Sequence, residues 1–279
     1  MSDDNVKFKK LRSFNLFMAV LHFGQGIAIL LLSSNFSLPV TSSFLKFNVV
    51  TKSLQPVRGT LFDLKIGPLV AAFLFLSAFF HLLTSLPGFN ERYADGLKNH
   101  INKFRWVEYS FSSSLMIVVI AMLVGVYDIG TLIALVGANA SMILFGWLME
   151  LHNQTLRQSS RSSLSEEVQA SESKTGQAQK TNWTSFIMGC ITGIVPWIVV
   201  AIYLFGSGDV DHHAPKFVYW IYFSIFLFFN SFAINQILQY KKVGKWSDYL
   251  YGERAYIILS LVAKSLLAWQ VFAGTLRPM

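Results

Sequence analysis

Lys264 is the residue that asks most of this sequence. It lies near the middle of Tyr256-Ile-Ile-Leu-Ser-Leu-Val-Ala-Lys-Ser-Leu-Leu-Ala-Trp-Gln-Val-Phe-Ala-Gly-Thr, an apolar stretch long enough to cross a bilayer as a helix. An ammonium at that depth costs about 2.5–3.5 kcal/mol on insertion scales. Helical rise is ~1.5 Å per residue, so a group this far from either end cannot readily reach water. Three kinds of chemistry would compensate it: a buried carboxylate, a water-filled cavity, or conversion of the amine to a Schiff base. Glu108, in Arg105-Trp-Val-Glu-Tyr-Ser-Phe-Ser-Ser-Ser, is the best candidate counter-charge. An opposite charge within ~4–6 Å favours both charged forms. Hydropathy alone leaves Glu108 near a membrane interface as a solvated helix-start carboxylate; a helix beginning near Asn99 would bury it.

Other polar groups fall inside apolar segments. His22 and His81 are expected at similar depth, with Gln25 three residues after His22 and Ser77 four before His81, each on its histidine's helix face. They are either core histidines bonded to their neighbours or a polar pocket able to take up a proton. Two histidines without a third ligand make a poor zinc site. Asn139, Asn230, Asn235 and Gln236 are expected as glue between helices. Glu150 is expected at an interface, Cys190 as a small packing residue, and His212 and His213 in a solvated loop with Asp209 and Asp211. The aromatic run Tyr219-Trp-Ile-Tyr-Phe-Ser-Ile-Phe-Leu-Phe-Phe-Asn suits an interfacial belt or the wall of a flat apolar ligand.

The elements that must position these residues are membrane spans. The chain is 53% hydrophobic and 14% charged, with a mean hydropathy of +0.46, against about 25% charged residues in soluble domains. Seven apolar segments are read at 13–34, 66–87, 99–126, 130–151, 183–206, 216–239 and 251–275, an all-α integral membrane bundle in one domain spanning 1–279. The first follows Lys7, Lys9, Lys10 and Arg12 but is too long for a signal-peptide core, so it is read as a retained helix. Most of the 23 basic residues fall on the N-terminal side of the membrane; the other side receives only Lys46, Lys52, Arg58, Lys65, Lys216 and Arg277. That bias puts the N-terminus in the cytoplasm and the C-terminus outside, and makes the net charge of +8 a topology signal rather than a nucleic-acid footprint. Residues 35–65 read as an extracellular β-hairpin turning at Gln55-Pro-Val-Arg-Gly. Residues 153–182, rich in Ser, Gln and Glu, read as a flexible cytoplasmic loop.

Seven spans with a lysine in the middle of the last resemble retinal-binding rhodopsins. The strings Trp106-Val-Glu-Tyr-Ser and Ser260-Leu-Val-Ala-Lys, the inverted orientation, the long first outside loop and the His22/His81 pair resemble heliorhodopsins in particular. The resemblance implies all-trans retinal on Lys264 as a protonated Schiff base, with Glu108 as counterion and Ser260 where ion pumps carry a second carboxylate. It implies an inner, proton-accepting cavity at Ser77, His22, His81 and Gln25, and retinal surroundings at Trp106 and Asn139, with Tyr109 beside them. It also implies a homodimer in contact through the first outside loop.

Position 119, eleven after Glu108, is valine where proton pumps place a donor carboxylate, so vectorial transfer lacks a relay. The reading is a non-enzymatic photoreceptor that moves the linkage proton locally and signals by conformation, with an unidentified cytoplasmic partner possible. The alternative is a light-gated passive proton conductance through the same cavity. A transporter using a Lys264–Glu108 pair is disfavoured by the lack of internal repeats. A G-protein-coupled receptor is disfavoured by the orientation and by the missing Asp-Arg-Tyr and Asn-Pro-x-x-Tyr strings.

Overall fold

Local signals set the helix ends. In the computed structural model, which describes residues 3–167, 181–206 and 214–276, the chain starts with α1 (Asp3–Leu32), whose charged first turns carry it out of the apolar stretch. An antiparallel hairpin follows, β1 (Ser37–Asn48) and β2 (Ser53–Lys65). Its turn is not at Gln55-Pro-Val-Arg-Gly, which lies within β2. The chain reverses between the strands, where the Asn48 side chain accepts from the backbone N–H groups of Val50 (2.9 Å) and Thr51 (3.2 Å) and Lys52 takes a positive φ of 49°. An Asn that bonds the backbone two residues ahead is a turn nucleus in its own right, and Pro56 is tolerated in a two-stranded ribbon, where every strand is an edge.

The hairpin leads directly into α2 (Ile66–Leu83). The expected third segment, 99–126, shortens at both ends and is preceded by a separate helix that the apolar reading did not contain. A short amphipathic helix, α3 (Phe89–Lys98), buries Tyr93 and Leu97, and α4 (Lys103–Leu123) starts only after Asn102 has capped it by accepting from the Arg105 N–H at 3.0 Å. Next comes α5 (Ile129–Glu167), opened by Asp128, which accepts from the Thr131 N–H at 2.9 Å. It does not stop near 151: helix replaces the expected loop through Glu167, and the rest of that loop, 168–180, lies outside the described residues. The bundle is completed by α6 (Thr184–Phe205), α7 (Lys216–Tyr240) and α8 (Tyr249–Val271), the last closing in a π-turn over Phe272–Leu276. His212, His213, Asp209 and Asp211 also lie outside the described residues.

Seven of these helices, all but α3, are long and apolar enough to cross a membrane. In packing, α1 lies on α2 and α8, α4 lies between α2 and α5, α5 continues onto α6, and α7 lies on α8. The hairpin is tied down at its base, where Thr41 N–H donates to Tyr127 O at 2.8 Å and Ser34 N–H to Leu276 O at 2.6 Å. The larger apolar core fills the hairpin half of the bundle, with Ile29, Val70, Phe73, Val119, Met122 and Leu267 fully buried. At the opposite end a smaller cluster joins α1, α3 and α8 through Leu11, Leu97 and Tyr249. Lys264 lies between the two clusters.

Candidate functional site

Lys264 and Glu108 meet. Lys264 is 3% exposed, and its Nζ donates to Glu108 Oε1 at 2.7 Å and to Ser260 Oγ, one turn back on α8, at 2.7 Å. Ser77 of α2 donates to the same Glu108 oxygen at 2.7 Å, so three helices converge on one carboxylate. Glu108 is buried although α4 begins at Lys103, later than the start that would have been invoked to bury it. The reason lies one turn earlier: Arg105 is itself buried and closes the end of the bundle.

His22 and His81 stack, with ring centroids 5.6 Å apart and planes 10° from parallel, and His81 Nδ1 lies 2.7 Å from Asn15 Oδ1. Both ring nitrogens of His22 are buried without a hydrogen-bond partner. A small cavity of about 30 Å³, bordered by Asn15, His81, Glu108, Arg105 and Glu253, holds room for about one water. Gln25 is not part of it: half-buried on α1, it accepts from Trp269 Nε1 at 3.1 Å.

A larger cavity of about 370 Å³ runs from Lys264 between α4, α5, α6, α7 and α8. Its size falls in the range of small-molecule sites, ~300–1,000 Å³. The aromatic walls include Trp106, Tyr109, Trp197, Phe229 and Tyr256. On α5 and α6 the wall is thinned by Gly146, Gly189 and Gly193, and a Cβ on Gly193 would run into Met142. Tyr109 is fixed by its hydroxyl, which donates to Tyr256 O at 2.9 Å. Asn139 does not reach the wall. It acts from behind, donating to Ser113 Oγ at 2.7 Å and Ser114 Oγ at 3.0 Å, and Ser113 lines the cavity. Cys190 is not an enclosed packing residue: it lines the cavity while exposed on the bundle's outer face.

A second ionic cluster was not anticipated. Glu150, expected at an interface, is shut off from solvent at 1% exposed, because Arg105, Tyr249, Trp106 and Asn102 surround it. Its Oε1 accepts from Arg105 Nη2 at 2.6 Å and Tyr249 OH at 3.1 Å, and its Oε2 from Trp106 Nε1 at 2.6 Å and the Asn102 N–H at 2.9 Å. Arg105 Nη1 pairs with Glu253 Oε2, while Glu253 Oε1 accepts from Asn102 Nδ2 at 2.7 Å and Tyr93 OH at 3.0 Å. Burial, and then the charge on Glu253, push the Tyr93 phenol well above its ordinary value. One signal for this cluster was present in the sequence: Glu253, Tyr256, Ser260 and Lys264 recur at helical spacing on one face of α8.

A family model described as Heliorhodopsin matches residues 11–276. The chain belongs to the heliorhodopsin family. Comparison with curated proteins finds no match. Membership makes this a multi-pass, retinal-binding, light-sensitive membrane protein, a photoreceptor and not an enzyme. The cavity of this heliorhodopsin fits such a group in kind: it is apolar, flanked by flat rings, thinned by glycines, and ends at an amine.

Proposed function

We propose that this heliorhodopsin holds all-trans retinal through Lys264, with Glu108 as counterion, and converts light into a conformational signal without net ion transport. One observation carries the reading: Lys264 lines the apolar cavity and at the same time donates to Glu108 at 2.7 Å. Bound there as a protonated Schiff base, retinal would supply a visible chromophore that light isomerises. The free ammonium has three N–H groups, whereas a protonated Schiff-base nitrogen keeps one. Glu108 and Ser260, which both accept from the free amine at 2.7 Å, would be the two residues able to hold that hydrogen, and the carboxylate is the stronger acceptor. Ser77 steadies the Glu108 charge from α2. His81, His22 and Asn15 border the same region and offer a local home for a displaced proton.

The distribution of polar groups supports sensing over transport. Among the described residues, the titratable groups near Lys264 lie on the Glu253 side, while Val119, Met122 and Leu267 close the hairpin side with fully buried hydrocarbon. A passive light-gated proton conductance, the alternative, would need a path through that hydrocarbon. The basic-residue bias supports a cytoplasmic N-terminus and an extracellular hairpin and C-terminus. Ser113, held by Asn139, and the rings of Trp106 and Tyr109 would shape the chromophore's bed.

Lys264→Ala supplied with all-trans retinal is expected to show no visible band, and a band that persisted would overturn the assignment. The wild type under voltage clamp is expected to be coloured and photocycling yet pass no photocurrent. A current reversing with the proton gradient would make it a channel instead.

A further inference from the structure

Trp106 belongs to two sites at once. Its ring lines the cavity that ends at Lys264, and its indole N–H leaves the cavity to donate to Glu150 Oε2 at 2.6 Å. The ring has little freedom: a Cβ on Gly146, one turn before Glu150 on α5, would overlap it. α5 therefore grips Trp106 at two points, a glycine against the ring face and a carboxylate on the N–H.

The hydrogen bonds continue from Glu150 along α5. Arg105 and Tyr249 tie Glu150 to α4 and α8. One turn further, Asn153 donates to Asn182 O at 3.1 Å and accepts from the Asn182 N–H at 2.9 Å, at the entry to α6. Another turn on, Arg157 donates to Asn153 O at 3.1 Å and lies 6.0 Å from the Tyr240 ring at the end of α7. Gly146, Glu150, Asn153 and Arg157 share one face of α5, the helix that runs on past the apolar span to Glu167.

We propose that Trp106 and Glu150 form the link by which a change in the cavity is passed to the outer part of α5. The inference rests on the reading of Lys264 as the retinal site. A displaced Trp106 withdraws its N–H from a carboxylate buried at 1% exposure. Glu150 keeps Arg105, Tyr249 and the Asn102 N–H, but a buried carboxylate that loses one of its four donors is weakened, which favours a shift of Arg105 and α5 that restores the balance. Two discrete arrangements of one helix, biased from the cavity, are what a signal requires. Glu150 does not line the cavity and acts as a positioning residue for Trp106.

The test uses the full chain. In the dark, retinal-free protein, the indole N–H vibration of Trp106 is identified by its loss in Trp106→Phe, and Glu150→Gln is expected to shift it. With retinal bound, illumination is expected to shift the same vibration and to change the distance between spin labels placed bioorthogonally at Lys10 and Leu156. Glu150→Gln is expected to keep the visible band and lose the distance change, and Trp106→Phe, which severs the same bond from the other side, to lose it as well. An unshifted N–H vibration in Glu150→Gln, or a wild-type distance change in either variant, would overturn the proposal. A wild type with no visible band would overturn the reading beneath it, and the proposal with it.

Discussion

Lys264 and Arg105 are both cations buried in the bundle, yet they are compensated differently. Arg105 has two carboxylates, and its two partners also collect neutral donors from Tyr93, Asn102, Trp106 and Tyr249. Lys264 has one carboxylate and one hydroxyl, so the charge on Glu108 is the main negative field at its nitrogen. With retinal in place, that field would pin the positive charge to the nitrogen end and raise the excitation energy. Glu108→Gln is therefore expected to move the visible band to longer wavelength, with Ser77→Ala, which weakens the hold on Glu108 without removing it, shifting the band less. Absorption spectra of the reconstituted variants check this, and an unmoved Glu108→Gln band would give the counterion role to another group. Glu108 was legible as a residue because a mid-span lysine demands a partner. Arg105, Glu150 and Glu253 were not, since each stands near a segment end, where hydropathy reads any charge as solvated. What buries them is the capping turn at Asn102 and the packing of α3, neither of which a hydropathy profile contains.

The helices were legible in proportion to their apolar length. α6 and α7 fall within a residue of the expected bounds because lipid-facing helices are apolar along their whole length. The polar extension of α5 and the ten-residue α3 carry no such signal, and the hairpin turn followed Asn48 instead of the more obvious proline and glycine. Within α5 two glycines separate packing from propensity. Gly137 is exposed with nothing near its missing Cβ, so Gly137→Ala is expected to stabilise by up to about 1 kcal/mol through helix propensity. Gly146 faces the Trp106 ring, and Gly146→Val is expected to cost about 1–3 kcal/mol by overpacking and to reduce pigment formation. Thermal midpoints and visible absorbance of the two variants measure both effects; equal behaviour would mean that α5 does not press on Trp106. The docking of α3 on α8 has its own signature. The Tyr93 phenol titrates higher folded than unfolded, where it loses its proton near about pH 10. Its contribution is complete below that pH and is lost as pH rises through the folded value. Tyr93→Phe is expected to flatten the alkaline fall of stability by up to one proton, about 1.4 kcal/mol per pH unit, measured by thermal unfolding across alkaline pH.

At the scale of the molecule the two ends are unlike. One end is braced by Arg105, Glu150 and Glu253, while the other carries a hairpin that extends beyond the core holding its base. In the register, Phe47 faces Leu54 and Leu45 faces Pro56, which puts Leu45, Phe47 and Leu54 on one side of the ribbon, at 69, 61 and 63% exposed. A two-stranded ribbon is at best marginal alone in water, and a cluster of apolar side chains left open marks a contact surface. A second copy of the same chain is the occupant the family resemblance implies, and a two-fold contact would bury both ribbons by the same set of residues. Leu45→Ser with Phe47→Ser is expected to convert a dimer to a monomer in detergent, read by native mass spectrometry. The Lys264 site lies far down the bundle, so the pigment should still form and the visible band should not move. A wild type that is monomeric across lipid and detergent conditions would remove the dimer. A variant that is monomeric but also colourless would show that the ribbon supports the bundle itself, and the exposed leucines and phenylalanine would then have to be explained by the chain's own fold.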